Sequence, residues 1–99
     1  MNELSLAQEE RLYLLIEECG EVIQAASKIL RHGYNSYHPD HPSRTNKDDL
    51  INELHDLLAT IEILEDAKDV VNLGDDTAQA INKKIRWTHY QKDSYMTNG

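Results

Sequence analysis

A chain of 99 residues has room for one domain with a small core. Its 18 acids against 10 lysines plus arginines give a formal net charge of −8, so there is no basic surface to track a phosphate backbone, and a nucleic acid polymer is excluded as a partner. A single cysteine excludes an internal disulfide; no apolar run nears the ~18 residues of a membrane span, and the N-terminus lacks a basic stretch followed by an apolar one, so the chain is expected to be soluble and cytoplasmic, with no membrane partner.

With no Phe, one Trp and 39% apolar residues, the core is expected to be aliphatic and built from helix stripes. Ser5 is the expected N-cap of a first helix, with Gln8 three residues on as its box partner. The helix is expected to run to about Arg31 and stop at Gly33. Inside it, LIEECGEVIQAASKIL places Glu17, Glu18 and Glu21 along or beside the apolar stripe.

Residues 33–47, GYNSYHPDHPSRTNK, carry two prolines and no periodicity and read as a long loop. Loops of that length in small domains are often functional, and this one is expected to act as a flexible lid with Arg44 and Lys47 available to a phosphate tail. His32, His38 and His41 invite a zinc site, but His38 and His41 sit among prolines with no cysteine pair nearby, which disfavours one.

Thr45 or Asn46 is expected to cap a second helix that extends to about Lys68, with Asp48 and Asp49 in its positive first turn. Leu50, Leu54, Leu57, Leu58, Ile61 and Leu64 form its apolar stripe, and Glu53 and Asp56 interrupt it. A third helix is expected from Asp75 or Asp76 to Tyr90, with Ala78, Ile81, Ile85 and Thr88 on its inner face and Asn82, Lys83 and Arg86 on another. From Gln79 to Lys92 there are four basic residues and no acid, a positive strip in an acidic protein. The polar tail 91–99 is expected to be flexible.

The pairs Glu18/Glu21 and Glu53/Asp56 are each spaced i, i+3, which sets two carboxylates on neighbouring turns of one face. Four acids interrupting two apolar stripes repel one another unless a cation sits among them. Oxygen-only ligation with no His or Cys suits Mg²⁺, with Mn²⁺ as a substitute, better than Zn²⁺. Glu17, adjacent to these acids but not required by the paired spacing, is the candidate for positioning or deprotonating an attacking water.

Glu17-Glu18-Cys19-Gly20-Glu21 followed by Glu53-Leu54-His55-Asp56 resembles the EExxE and ExxD motifs of the MazG-like all-α nucleoside triphosphate pyrophosphohydrolase superfamily. The resemblance covers Leu12 to about Ala67, with a spacer, residues 22–52, that is long for the group. It implies an all-α fold whose three main helices complete a four-helix-bundle core by homo-oligomerisation, as a homodimer or homotetramer. It also implies Mg²⁺-dependent hydrolysis of a nucleoside triphosphate to the monophosphate and pyrophosphate, with Glu18, Glu21, Glu53 and Asp56 on the metal. INKKIRW resembles the helix that contacts the nucleotide in that group, which makes Asn82, Lys83 and Arg86 candidate substrate-binding residues. Two alternatives stand beside this reading. One is phosphoribosyl-ATP pyrophosphohydrolase, which has similar helices and acid motifs; the other is a non-enzymatic helical oligomerisation or interaction module.

Overall fold

The computed structural model describes residues 3–91. They form three α-helices and no strand: α1 Leu6–His32, α2 Asn46–Asp66 and α3 Thr77–Arg86. No helix among them is long and apolar enough to cross a membrane. The chain divides into two compact units, Met1–Asp69 and Val70–Gly99. Residues 92–99 of the expected flexible tail lie outside the described residues.

Both long helices start on reciprocal capping boxes. The Ser5 hydroxyl accepts from the Gln8 amide at 3.0 Å while the Gln8 side chain accepts from the Ser5 amide at 2.8 Å. Thr45 and Asp48 repeat the exchange at 3.2 and 2.9 Å, and hydrogen bonds from the Thr45 amide and then its hydroxyl hold the Asp48 carboxyl below the usual carboxylate range. α1 ends where Gly33, at φ 90°, donates its amide to the Ile29 carbonyl at 2.7 Å.

α1 and α2 run antiparallel. At one end Arg11 meets Asp69, two N–H groups on two carboxylate oxygens, with Nη2 to Oδ1 at 3.0 Å; at the other, the Asn46 amide group donates to the Gly33 carbonyl at 3.1 Å. Besides the flanking, partly buried Glu21, Ala26, Ser27, Asp49, Ile61 and Glu65, the buried and partly buried side chains follow one line on each helix: Gln8, Arg11, Leu15, Glu18, Val22, Ala25 and Ile29 on α1, and Asn46, Leu50, Glu53, Leu57, Thr60 and Leu64 on α2. Their spacing alternates three and four residues throughout, the 3.5-residue period of a coiled-coil seam. The expected second stripe therefore splits: Leu50, Leu57 and Leu64 enter the seam, whereas Leu54 and Leu58 stay exposed, Leu58 by 61%.

Residues one position after each seam residue are rotated by ~100°, and on antiparallel helices that rotation turns both rows to the same side of the hairpin. This row is apolar on both helices: Leu12, Ile16, Ile23 and Leu30 on α1, Ile51, Leu54 and Leu58 on α2, all exposed. Residues one position before the seam turn to the opposite side, which is polar over most of its length, with Glu17, Glu21, Gln24 and Lys28 facing Asp49, Asn52 and Asp56, and carries Leu14 and Ile63 at the end away from the loop. The hairpin is a two-helix layer with one apolar and one polar side.

α2 stops at Asp66, short of the expected Lys68. Lys68 adopts the left-handed conformation at φ 66°, and the Asp69 amide returns to the Leu64 carbonyl at 3.0 Å, which closes the helix and delivers Asp69 to Arg11. The connecting loop is pinned at its base. Asn46 and Lys47 donate their amides to Ser36 and Tyr34 carbonyls at 2.8 and 2.9 Å, and Tyr37 pairs with Thr45 in an isolated antiparallel bridge. In the second unit α3 ends at Arg86 rather than Tyr90, because Trp87 and Thr88 close i→i+3 bonds onto Lys84 and Ile85 and the Thr88 hydroxyl donates to the Ile85 carbonyl at 2.8 Å. Of the expected inner face, Ile85 and Thr88, the latter beyond the helix end, are partly buried, whereas Ala78 and Ile81 are exposed.

Cap contributions differ between helices and can be measured. Ser5→Ala and Thr45→Ala each remove a side-chain acceptor worth about 1 kcal/mol, so each is expected to lower Tm by ~4–8 °C. Asp76, the N-cap of α3, makes no side-chain cap bond; Asp76→Ala is expected to change stability by less than ~0.5 kcal/mol. Thermal melts of the three variants test this ordering.

Candidate metal centre

Glu18 and Glu53 occupy seam positions, where a coiled coil carries apolar side chains, and their helices press them together. Each i, i+3 pair thus divides in a specific way: one carboxylate lies in the seam and its partner, Glu21 or Asp56, on the polar side. Glu18, Glu53 and Asp56 each bring a carboxylate oxygen within 4.8 Å of the other two. Glu21 is not part of that trio; it lines a cavity together with Glu53, and its charge is the strongest ionic influence on Glu53.

Electrostatics at the cluster are those of crowded like charges. Burial, followed by the charges of Asp56, Glu17, Glu53 and Glu21, pushes the Glu18 carboxyl above the ordinary range. Glu53 is raised in the same way, by burial and then by Glu21, Asp56 and Asp49. The Glu18 Oε2 atom is buried with no hydrogen-bond partner among the described residues. A buried acceptor of this kind is satisfied by a proton or by a cation.

The donor set fits a hard divalent ion. All its atoms are carboxylate oxygens, and Mg²⁺ holds its ligands at ~2.0–2.1 Å and thus at most ~4.2 Å apart, a small side-chain adjustment from the separation seen. Glu17 lies on the polar side next to the trio, exposed, close enough for its charge to act on Glu18. Asn82, Lys83 and Arg86 are exposed residues of α3 in the second unit. The histidines of the loop do not join the acids; His38 and His41 stack obliquely with ring centres 6.2 Å apart.

Beside Glu21 and Glu53 the cavity is lined by Ala25, Arg44 and Asp49 and by three polar residues to which the sequence assigned no part, Gln24, Lys28 and Asn52. Their signal in the sequence is spacing alone, since Glu21, Gln24 and Lys28 follow one another at three and four residues along the polar side of α1. Comparisons with protein-family models, with curated proteins and with solved structures return no match for this chain.

A carboxyl whose pKa is raised in the folded state costs stability once it ionises. That cost is full above the folded pKa, shrinks as pH falls through it, and is absent below the unfolded value of ~4.3. In metal-free protein, Glu53→Gln is therefore expected to raise Tm at pH 7, with the gain vanishing below about pH 4. Millimolar Mg²⁺ is expected to raise Tm of the wild type and to leave the variant nearly unchanged. Melts across pH, with and without Mg²⁺, decide; a Tm at pH 7 lower in Glu53→Gln than in wild type refutes the repulsion account.

Proposed function

We propose that this chain is a Mg²⁺-dependent nucleoside triphosphate pyrophosphohydrolase of the MazG-like type, which converts the triphosphate to the monophosphate and pyrophosphate. The observation that carries the reading is the convergence of Glu18, Glu53 and Asp56 from two antiparallel helices, with an unpartnered Glu18 oxygen, beside a polar cavity.

In this reading Glu18, Glu21, Glu53 and Asp56 hold the metal, which supplies Lewis-acid polarisation of the phosphate oxygens and offsets the negative charge of the acids. The remaining work falls to side chains. Glu17 stands beside the ligands on the polar side and positions or deprotonates the attacking water. Lys83 and Arg86 neutralise charge on the phosphates, and Asn82 contacts the sugar, phosphate or base. The motifs EExxE and ExxD, which resemble that superfamily, agree with the same assignment.

The apolar side of the hairpin supports self-association. Ile16 and Ile23 are each 67% exposed, and together with Leu54 and Leu58 they present on both helices a row that one neighbouring hairpin could cover. Two such layers, apolar side to apolar side, make a four-helix bundle with its polar sides, and the acids, outward. A homodimer or homotetramer built this way keeps the sites accessible.

Two measurements test the proposal. Pyrophosphate release from a panel of ordinary and modified nucleoside triphosphates is expected with Mg²⁺ and not with a chelator; Glu53→Gln and Asp56→Asn are expected to reduce it by more than the roughly 10–100-fold typical of losing an outer-shell partner. Lys83→Ala and Arg86→Ala are expected to lower kcat/KM about ten- to a hundredfold, and Lys84→Ala much less. Retained turnover in Glu53→Gln at saturating Mg²⁺ removes the metal assignment.

The assembly is read from mass in solution. Light scattering is expected to give two or four times the 11.4 kDa chain mass for the wild type, and one times for Leu58→Glu, whose charge falls in the middle of the apolar side. A monomeric wild type eliminates the bundle.

A further inference from the structure

Beyond the acids the polar side of the hairpin changes sign. The cavity that begins at Glu21 and Glu53 has a volume of about 260 Å³ and ends at Lys28 and Arg44, with Gln24 and Asn52 between. A neighbouring cavity of about 240 Å³ shares Lys28 and Arg44 and adds His38 and His41 from the loop. Cations thus gather at the loop end of a protein whose net charge is −8. Lys28 forms no ion pair among the described residues, two turns and ~10 Å along α1 from Glu21. Asp49 takes the Nε edge of Arg44 at 2.8 Å, which fixes the plane of a five-donor fork whose side chain remains about half exposed.

The distribution selects its ligand. A small lone anion gains little here, because Glu21, Glu53 and Asp49 repel it from the same walls. An extended polyphosphate is matched: one phosphate at the cation-filled acid cluster, the next ones toward Lys28 and Arg44. In the opposite direction along the same side lie Leu14 and Ile63, 38% and 44% exposed, apolar surface that suits a nucleoside and not a phosphate.

We propose that Lys28 and Arg44 form the subsite for the two terminal phosphates of the nucleotide, and so hold the pyrophosphate that departs. This rests on the hydrolase reading and gives the substrate a direction: terminal phosphates toward the loop, nucleoside toward Leu14 and Ile63. Of the two loop cations expected to meet a phosphate tail, Arg44 lines the subsite and Lys47 does not.

The test is titration calorimetry of inorganic pyrophosphate into the full chain with millimolar Mg²⁺, alongside assays of triphosphate hydrolysis. Lys28→Ala and Arg44→Ala are each expected to weaken pyrophosphate binding about ten- to a hundredfold, Lys28→Arg to restore most of it, and Lys84→Ala on α3 to leave it unchanged. Inorganic monophosphate is expected to bind weakly to all of them. Helical content and Tm of each variant verify the fold, and Lys28→Gln serves as a second removal of the same charge. Unchanged pyrophosphate affinity in Lys28→Ala and Lys28→Gln overturns the subsite even if the protein hydrolyses triphosphates. Pyrophosphate binding that depends on Lys28 and Arg44, in a protein that hydrolyses no triphosphate, upholds the subsite and overturns the hydrolase reading.

Discussion

The confrontation of Glu18 and Glu53 across the helix seam is the constraint on which the rest of the hairpin depends. A seam of period 3.5 draws its stability from apolar knobs, and here only Leu15, Val22 and Ile29 meet Leu50, Leu57 and Leu64, with Ala25 and Thr60 filling between. Two carboxylates in the middle of that seam oppose its closure. The chain answers by fastening both ends with directional bonds: the bidentate Arg11–Asp69 pair at one, the Asn46–Gly33 bond and the pinned loop at the other. Burial of Thr60 costs nothing extra, because its hydroxyl donates to the Asp56 carbonyl at 3.0 Å within the same helix.

Under the proposed function, that arrangement makes folding and metal binding two aspects of one equilibrium. An ion among the acids removes the repulsion that raises Glu18 and Glu53, and it does so only in the folded hairpin, where the carboxylates converge. Any affinity gained there appears as stability by mass action. A seam optimised with leucine at positions 18 and 53 would hold the helices together more firmly and would have nothing to offer a cation, the familiar exchange of stability for function.

How much of this was legible in the sequence follows from which signals are local. Cap signals are local: Ser5 with Gln8 marks the start of α1 and Gly33 its end, and Thr45 or Asn46 marks the start of α2, where the structure selects Thr45. Helix ends without a glycine were misplaced, since the left-handed Lys68 and the Thr88 closure have no strong sequence mark. The i, i+3 acid pairs were visible, but not that each pair splits between seam and polar side. Reading Leu50, Leu54, Leu57 and Leu58 as one stripe merged two rows that the packing separates by ~100°. Lys28 and Gln24 carry no sequence mark, because nothing but register connects them to Glu21, and register has meaning only once the seam is known.

A one-residue offset therefore governs the hairpin: the row before the seam carries acids, amides and Lys28, with Leu14 and Ile63 at one end, and the row after it carries leucines and isoleucines. Under the proposed function this offset also settles how an anionic substrate reaches an acidic protein. The overall field of −8 opposes a free triphosphate at distances within the ~10 Å screening length. A triphosphate already complexed to Mg²⁺ carries two fewer negative charges and brings its ion to the acid cluster. Lys28 and Arg44 then meet the phosphates that the metal leaves exposed, at the end of the polar side where positive groups outnumber acids. The acids thus select the complexed nucleotide over the free one, and the apolar side, turned away by ~200° from the polar row, stays available for a second hairpin throughout.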